Sequence, residues 1–481
     1  MNQLLFERST GRIGPNVFAR LETTRFLNSF CDAPQFRFDG GERLRGSAVQ
    51  VDEAGSSVTS DAKTSIWAHQ AGVNALAIER FDGRLLISGG SDASVKLWDL
   101  EQCGNPSTSH IFKAISQVPR SEKGHKFGIT TLSFYPFDSA AFLSTSYDQT
   151  LKLWSTDTLS VSGSFPLGSK VYTHTVSPIA SHLLVACGTQ HPAVRLVDLR
   201  SGSNIQSLAG HTAAILAAAW SPRHEHIVAT GSVDGTVRIW DVRRAGGAIG
   251  MLDQEDSLGL YRNGLLGSDG KVRTRMSAKA HSGPVNGLTW TDDGAYIVSA
   301  GQDRRIRVWD AATGANTLAN FGPSIKNSHL ASVTMFTSPL GLTHPGKEVL
   351  FWPNETELLV MDLHDGHTIT KLRGTGPAMA GVKSAIGAGS AVKNRVTSIA
   401  WRGAGGGGSS SGVVMGGTNM AGALYSAHMD GQIRAWTPQL EGLDEEGEDD
   451  GNTEVSEDKA KKRKAMNDVF QNLMGKKITF I

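Results

Sequence analysis

Short stretches in which apolar and polar residues alternate recur along this chain, each entered through small residues and a tight polar turn. They read SGGSDASVKLWD, STSYDQTLKLWS, ATGSVDGTVRIWD, SAGQDRRIRVWD and SAHMDGQIRAWT. A period of two marks strands with one buried face, and the turn between them predicts a hairpin. In each segment an aspartate precedes a tryptophan by six residues: Asp92/Trp98, Asp148/Trp154, Asp234/Trp240, Asp303/Trp309 and Asp430/Trp436. A Ser or Thr stands four residues before each aspartate, at Ser88, Ser144, Thr230, Ser299 and Ser426. A spacing kept this strictly is a repeat.

Four of the five units are preceded by a histidine, at His69, His125, His211 and His281. His, Ser/Thr, Asp and Trp can then hydrogen-bond in series, satisfying groups that burial would otherwise leave unpaired at about 1–3 kcal/mol each. A constellation repeated this often is more economically structural than catalytic. The repeat length and signature resemble WD-repeat propellers. Two degenerate units fill the wide gaps between tryptophans. LVACGTQHPAVRLVDLR has Val197 at the Trp position, and VLFWPNETELLVMDLHDG has Met361 there with Glu355 in the turn. Five strong and two weak units predict an all-β, seven-bladed propeller.

Composition changes this picture little. Hydrophobic content of 39% and charged content of 19% are ordinary for a soluble globular protein, and 55 glycines suit a fold made of tight turns. No stretch reads as a membrane span or secretory signal. Three cysteines, Cys31, Cys103 and Cys187, are too scattered to suggest a disulfide framework or a zinc site, so a reducing compartment is expected. No Gly-rich phosphate loop, HExxH or GxSxG element is present, and the sequence calls for no metal, no cofactor and no catalytic group.

Three regions are expected: an N-terminal arm over residues 1–35, the propeller over 60–440, and a charged tail over 441–481. In the arm, LLFER predicts one short helix, Gly11 and Gly14 end it, and Pro15 opens a second through PNVFARLETTRFLNSF. The ring's last blade needs an outer strand, which TSIWA at 64–68 is expected to supply. The insert Ala245–Lys279 and the Gly/Ser-rich stretch 403–422 read as polar surface segments without a core. Glu441–Asp458 carries ten acidic residues, and KAKKRK at 459–464 carries five basic ones. The tail therefore reads as disordered and the basic cluster as a nuclear import signal. Met466, Val469, Phe470, Leu473 and Met474 give it one short apolar helical face. Residues 1–440 keep a net charge of about +5, too weak to imply avid nucleic-acid binding.

A more specific likeness rests on LAGHTAAILAAAWSPRHEHIVATGSVDGTVRIWDVRRA (208–245), YPFDSAAFLSTSYDQTLKLW, VYTHTVSPIASHLLVACGT, GANTLANFG and the N-terminal FERSTG…ARLETTR. Together they resemble the Cockayne syndrome A-type WD-repeat proteins over most of residues 1–440. The resemblance implies a substrate receptor of a cullin-RING ubiquitin ligase in transcription-coupled nucleotide excision repair. It implies a grip by a large damaged-DNA-binding adaptor on the helical arm and on a WD-x-R motif. The client would be a stalled RNA polymerase II assembly with its Swi/Snf-type translocase, and the location the nucleus. Carried onto this chain, the partner-binding positions are Leu4, Leu5, Phe6, Arg8, Phe18, Arg20 and Leu21 in the arm, with Asp241, Arg243 and Arg244 in WDVRR. Arg200 in VDLR matches the motif incompletely. The rival for Arg243 is a brace between blades. The rival functions are a direct reader of damaged DNA through KVRTRM (271–276), or a general nuclear WD-repeat scaffold.

Overall fold

The structure, a computed structural model, describes residues 2–41, 66–102, 109–244, 247–259, 265, 278–339, 342–343, 346–374, 394–403 and 422–438, the side chains of 2–5, 15–16, 19–20, 22–23 and 203–205 excepted. Seven antiparallel sheets follow one another in a ring. Blade 1 is built from Val73–Ile78, Leu85–Gly90, Val95–Asp99 and Ser116–Val118; blade 2 from four strands between Ile129 and Pro166. Blade 3 runs from Val171 to Leu208, blade 4 from Ile215 to Met251, blade 5 from Val285 to Asp310, and blade 6 from Phe336 to Leu372. Blade 7 takes three strands from Val396 to Pro438 and its outer strand from Phe30–Asp32. The innermost strands of neighbouring blades line a common channel.

The strand that completes blade 7 is not TSIWA. Phe30, Cys31 and Asp32 pair antiparallel with Pro438, Thr437 and Trp436. Phe30 is buried and stacks edge-on against Phe26, with ring centroids 5.1 Å apart. Of the expected closure segment, Thr64 and Ser65 lie outside the described residues. Ile66 to Ala68 form no strand, although the Ala68 and His69 amides donate to the Gly431 carbonyl at 3.0 and 3.1 Å. This contact repeats around the ring, since Ala280 and His281 donate to Gly235 in the same way. Both glycines follow a turn aspartate with φ of +81°, and a Cβ at either would sit 2.5 Å from the next blade's histidine carbonyl. Only glycine fits there.

A second departure concerns the insert. Gly250–Met251 pairs with Ile239 and Arg238 as the outer strand of blade 4. Leu252 is fully buried, and the Asp256 carbonyl accepts the Asn316 amide at 2.8 Å. The first part of the insert thus belongs to the wheel, because blade 4 lacks any other segment to cover its edge. The Gly/Ser stretch 404–421, the tail from 439 and Cys103 lie outside the described residues. A parallel pair outside the blades, Phe36–Asp39 with His110–Lys113, lays Phe38 on Trp98 and Phe112.

Two helices precede the ring, α1 (Asn2–Ser9) and α2 (Pro15–Asn28). Gly14 caps α2 in an extended conformation and Pro15 opens it, as its fixed φ favours. The end of α2 is seated on the wheel, with Leu27 buried among Val349, Leu358, Leu372 and Trp436 and Phe26 packed beside it.

Candidate interaction surface

The repeated polar set is buried and structural. In blade 1 Trp98 Nε1 donates to Ser88 Oγ at 2.8 Å, and His69 Nε2 lies 2.7 Å from the same hydroxyl. The serine accepts from the indole and, with the imidazole neutral and its proton on Nδ1, gives its own proton to Nε2. Nδ1–H is then left for Ser94 Oγ at 2.7 Å, which donates to Asp92 at 2.6 Å. The same relay runs through Trp154, Ser144, His125 and Asp148, through Trp240, Thr230, His211 and Thr236–Asp234, and through Trp309, Ser299, His281 and Asp303. Burial would raise the aspartates. Hydrogen bonds and charge from the histidines win, holding Asp92 and Asp148 at about 2. Burial itself lowers His211 and His281.

Blade 7 has no histidine ahead of its first strand, yet Ser426 is not left short of a partner. His428, two residues on, places Nε2 2.9 Å from Ser426 Oγ, and Trp436 donates to the same oxygen at 2.8 Å. Asn394 takes over the contact with Asp430 at 2.8 Å. Sequence spacing alone missed His428, although a histidine two residues past the Ser position was there to be read.

The partner-binding candidates gather at one end of the ring. In an antiparallel four-stranded blade, turns between second and third strands lie at one end and turns between third and fourth strands at the other. Asp241 to Arg244 form such a third-to-fourth turn in blade 4. Arg243 donates to Asp241 through Nε at 3.0 Å and Nη2 at 2.8 Å, while its side chain stays 65% exposed. The clamp therefore lies within its own blade, and the guanidinium's other donors face solvent; among the described residues it braces no neighbouring blade. Arg243's hydrogen bonds, against some burial, hold Asp241 below the usual carboxylate range. Arg244 is exposed, 3.8 Å from Asp241. Arg200 is exposed in the matching turn of blade 3, where its backbone amide donates to Asp198.

The arm reaches the ring at that same end. A hollow under α2 is lined by Thr24, Leu27, Asp362, His367 and Ile369, which brackets the third-to-fourth turn of blade 6. Farther up the hairpin, the apolar side chains are uncovered: Phe6 is 63% exposed, Val17 54% and Leu21 42%. Arg8 is exposed and Phe18 half-buried. Leu4, Leu5 and Arg20 lie on the helices, with side chains outside the described set.

Among the described residues, Asp362, Asp365 and His367 stand close enough to share a cation, in the turn that also meets α2. No helix among the described residues is long and apolar enough to cross a membrane. The recurring family pattern "WD domain, G-beta repeat" matches residues 61–99, 116–155, 202–241 and 270–310. Propellers of this family are typically interaction scaffolds without catalytic chemistry. The Arabidopsis thaliana protein "WD repeat-containing protein ATCSA-1" is 30% identical over 380 residues, covering 67% of this chain and 78% of the relative. "Radiation-sensitive protein 28" of Saccharomyces cerevisiae is 30% identical over 195 residues, 38% of each chain. "Ribosome biogenesis protein ytm1" of Emericella nidulans is 27% identical over 275 residues, 51% of this chain and 54% of the relative. The match thus spans less than two thirds of the last two relatives. On the repeat pattern, the closed ring and the Arabidopsis relative together, this chain belongs to the WD-repeat family.

Proposed function

We propose that the chain is a non-catalytic substrate-receptor subunit of a cullin-RING ubiquitin ligase acting in transcription-coupled nucleotide excision repair. The observation that carries this reading is the pairing of an apolar helical hairpin, uncovered at Phe6, Val17 and Leu21, with the solvent-facing Arg243 fork at the same end of the ring. Helical apolar residues that a fold leaves bare suit a partner's groove. A guanidinium already oriented by one carboxylate loses little freedom on meeting another acceptor. The likeness to Cockayne syndrome A-type proteins supports it, as does a relative whose own name carries that designation.

In this reading the large damaged-DNA-binding adaptor takes the arm and the arginine rim. The client, a stalled polymerase with its translocase, is held elsewhere on the wheel. The chain acts by raising the effective concentration of client near the ubiquitin-loaded enzyme, with no bond made or broken in it. The basic run at 459–464, outside the described residues, fits a nuclear location.

Co-purification from nuclear extract tests the reading. Leu21→Glu and Arg243→Glu should each lose the adaptor while the purified variants melt as the parent does. Adaptor retained by both would overturn the assignment. A general nuclear scaffold is the second reading, favoured by the relatives named for ribosome biogenesis. Recovery of pre-ribosomal proteins in place of the adaptor would establish it. KVRTRM, on which a DNA-reading role depends, lies outside the described residues.

A further inference from the structure

The opposite end of the wheel holds a recess at the mouth of the channel, where blade 6 departs from the repeat. In blades 1, 2, 4, 5 and 7 the residue two places beyond the one opposite the Trp is the Ser or Thr of the relay. In blade 6 Leu350 lies opposite Met361, so this place falls to Trp352. The indole is 1% exposed and, among the described residues, its Nε1 has no hydrogen-bond partner. The hairpin turn is also one residue shorter, Asn354 pairing directly with Glu357. Among the described residues, no histidine of the relay type covers this blade. Instead the segment between blades 5 and 6 is pinned by reciprocal amide bonds, Asn286 to Asn327 at 2.8 Å and back at 2.7 Å, and by the Lys326 amide on Asn354 at 2.6 Å.

The recess is lined by Trp352, Tyr147, Tyr172, Lys326, His329 and Arg395. Tyr147 and Tyr172 meet edge to face at 6.1 Å. Arg395 is half-buried, and among the described residues its guanidinium makes no hydrogen bond. Desolvation lowers its pKa, with Tyr147 and Glu355 opposing. Glu355 is already engaged by the Ser328 hydroxyl at 2.6 Å. The surroundings are cationic and apolar together. Lys126, Lys326, Arg304 and Arg305 are exposed at this end, against exposed Glu122 and the half-buried Glu355 of the lining itself. Phe127 is 57% exposed beneath Arg120, and Leu330 is 53% exposed.

We propose that this recess is a docking site for an acidic peptide, a carboxylate of which meets Arg395 and Lys326 while an adjoining residue packs against the Tyr147–Tyr172 pair. A half-desolvated guanidinium without a partner is stabilised by an anion more than an exposed lysine is, because the desolvation is already in place. The buried indole N–H offers a second donor for an acceptor that enters. The open mouth, with apolar side chains around it, favours a chain segment over a free small anion. The site stands on the geometry of blade 6 and not on the ligase reading. It lies at the other end of the ring from the arm, so either can fail without the other.

Fluorescence anisotropy on the full purified chain tests it, with a labelled peptide of alternating Asp and Glu as probe and its Asn/Gln counterpart as control. The acidic peptide should bind near physiological salt and the amide peptide should not. Arg395→Gln should weaken binding about tenfold or more, Lys326→Gln less, and Arg304→Gln, on the same end but outside the recess, by no more than about twofold. The exposed Lys326 variant keeps the test valid should Arg395→Gln lower the melting temperature. Equal losses from Arg395→Gln and Arg304→Gln would mean diffuse attraction to a basic face and would overturn the site. So would tighter, competing binding of a short single-stranded oligonucleotide, or no binding of the acidic peptide at all.

Discussion

Blade 4 and blade 3 bury the same two positions with opposite chemistry. In blade 4 Thr230 and Trp240 face one another across the sheet through a hydroxyl that also holds His211. In blade 3 those places are Cys187 and Val197, both fully buried, and the histidine across the sheet from Cys187, His174, is held instead by Thr131 and Ser133. Blade 6 likewise lacks the hydroxyl, with Trp352 and Met361 at these places. The relay is therefore kept or discarded as a set. Each member's hydrogen bond is worth little net, but a member left alone in the interior costs the full desolvation of its polar atom. A half-relay is less stable than an apolar pair, so blade 3 loses every polar member together, while blade 6 keeps a single buried N–H, on Trp352, beside the recess.

The largest effect that sharpens this contrast is expected from Trp240→Ala. It removes a large buried ring and leaves Thr230 with one partner, at about 3–5 kcal/mol. Urea denaturation of the purified variant reads it. Thr230→Val keeps the volume and strands both Trp240 Nε1 and His211 Nε2, for a loss of about 1–3 kcal/mol. If Thr230→Val were neutral, the relay would be packing alone and the contrast between blades would have no electrostatic content.

Acid provides a third test. Burial holds His428 down to about 3 and His174, deep between Thr131 and Ser133 in the channel, to about 4. Both stay neutral in the fold, whereas the unfolded chain takes up protons near the ordinary histidine value of 6.5. Stability is complete above that value and is lost as pH falls from there toward the folded values. Each histidine contributes about 1 kcal/mol of loss between roughly pH 7.5 and 5.5. His428→Gln should remove its share of the slope, read as the change in urea midpoint with pH. A second acid loss follows below about 3.8, where Asp92 and Asp148 protonate in the unfolded chain before the folded one.

Much of the wheel was legible because its spacing is rigid. Six residues from Asp to Trp fix a hairpin, and five copies fix the architecture. The closing strand was not, since Phe30, Cys31 and Asp32 show no alternation and their partners lie some four hundred residues away. TSIWA looked better suited by its apolar pattern, but pairing at a sheet edge is decided by where the chain can reach. Gly250–Met251 was hidden for a similar reason: two residues in a polar insert carry no periodic signal, yet blade 4 had an open edge. At the interaction surface Arg243 could be read from WDVR, because its aspartate is local. The recess around Arg395 could not, as Tyr147, Lys326, Trp352 and Arg395 come from four distant stretches.

The smallest expected effect discriminates most finely between the two kinds of blade. Cys187→Val in blade 3 replaces a small apolar side chain by another and should change stability by well under 1.5 kcal/mol. Burial already pushes the Cys187 thiol's pKa up, so no charge is lost at neutral pH. Cys187→Ser is the more telling substitution, because it restores the residue type that intact blades carry at this place. With Val197 at the Trp place and the facing His174 already held at both nitrogens by Thr131 and Ser133, the hydroxyl would find no indole and no free imidazole nitrogen, and a cost of about 1 kcal/mol is expected. A stabilising serine would mean that each polar member acts for itself, and that blades 3 and 6 lost theirs by drift. A destabilising one, set beside a neutral valine, means that polar groups are tolerated in this core only where the whole relay is present.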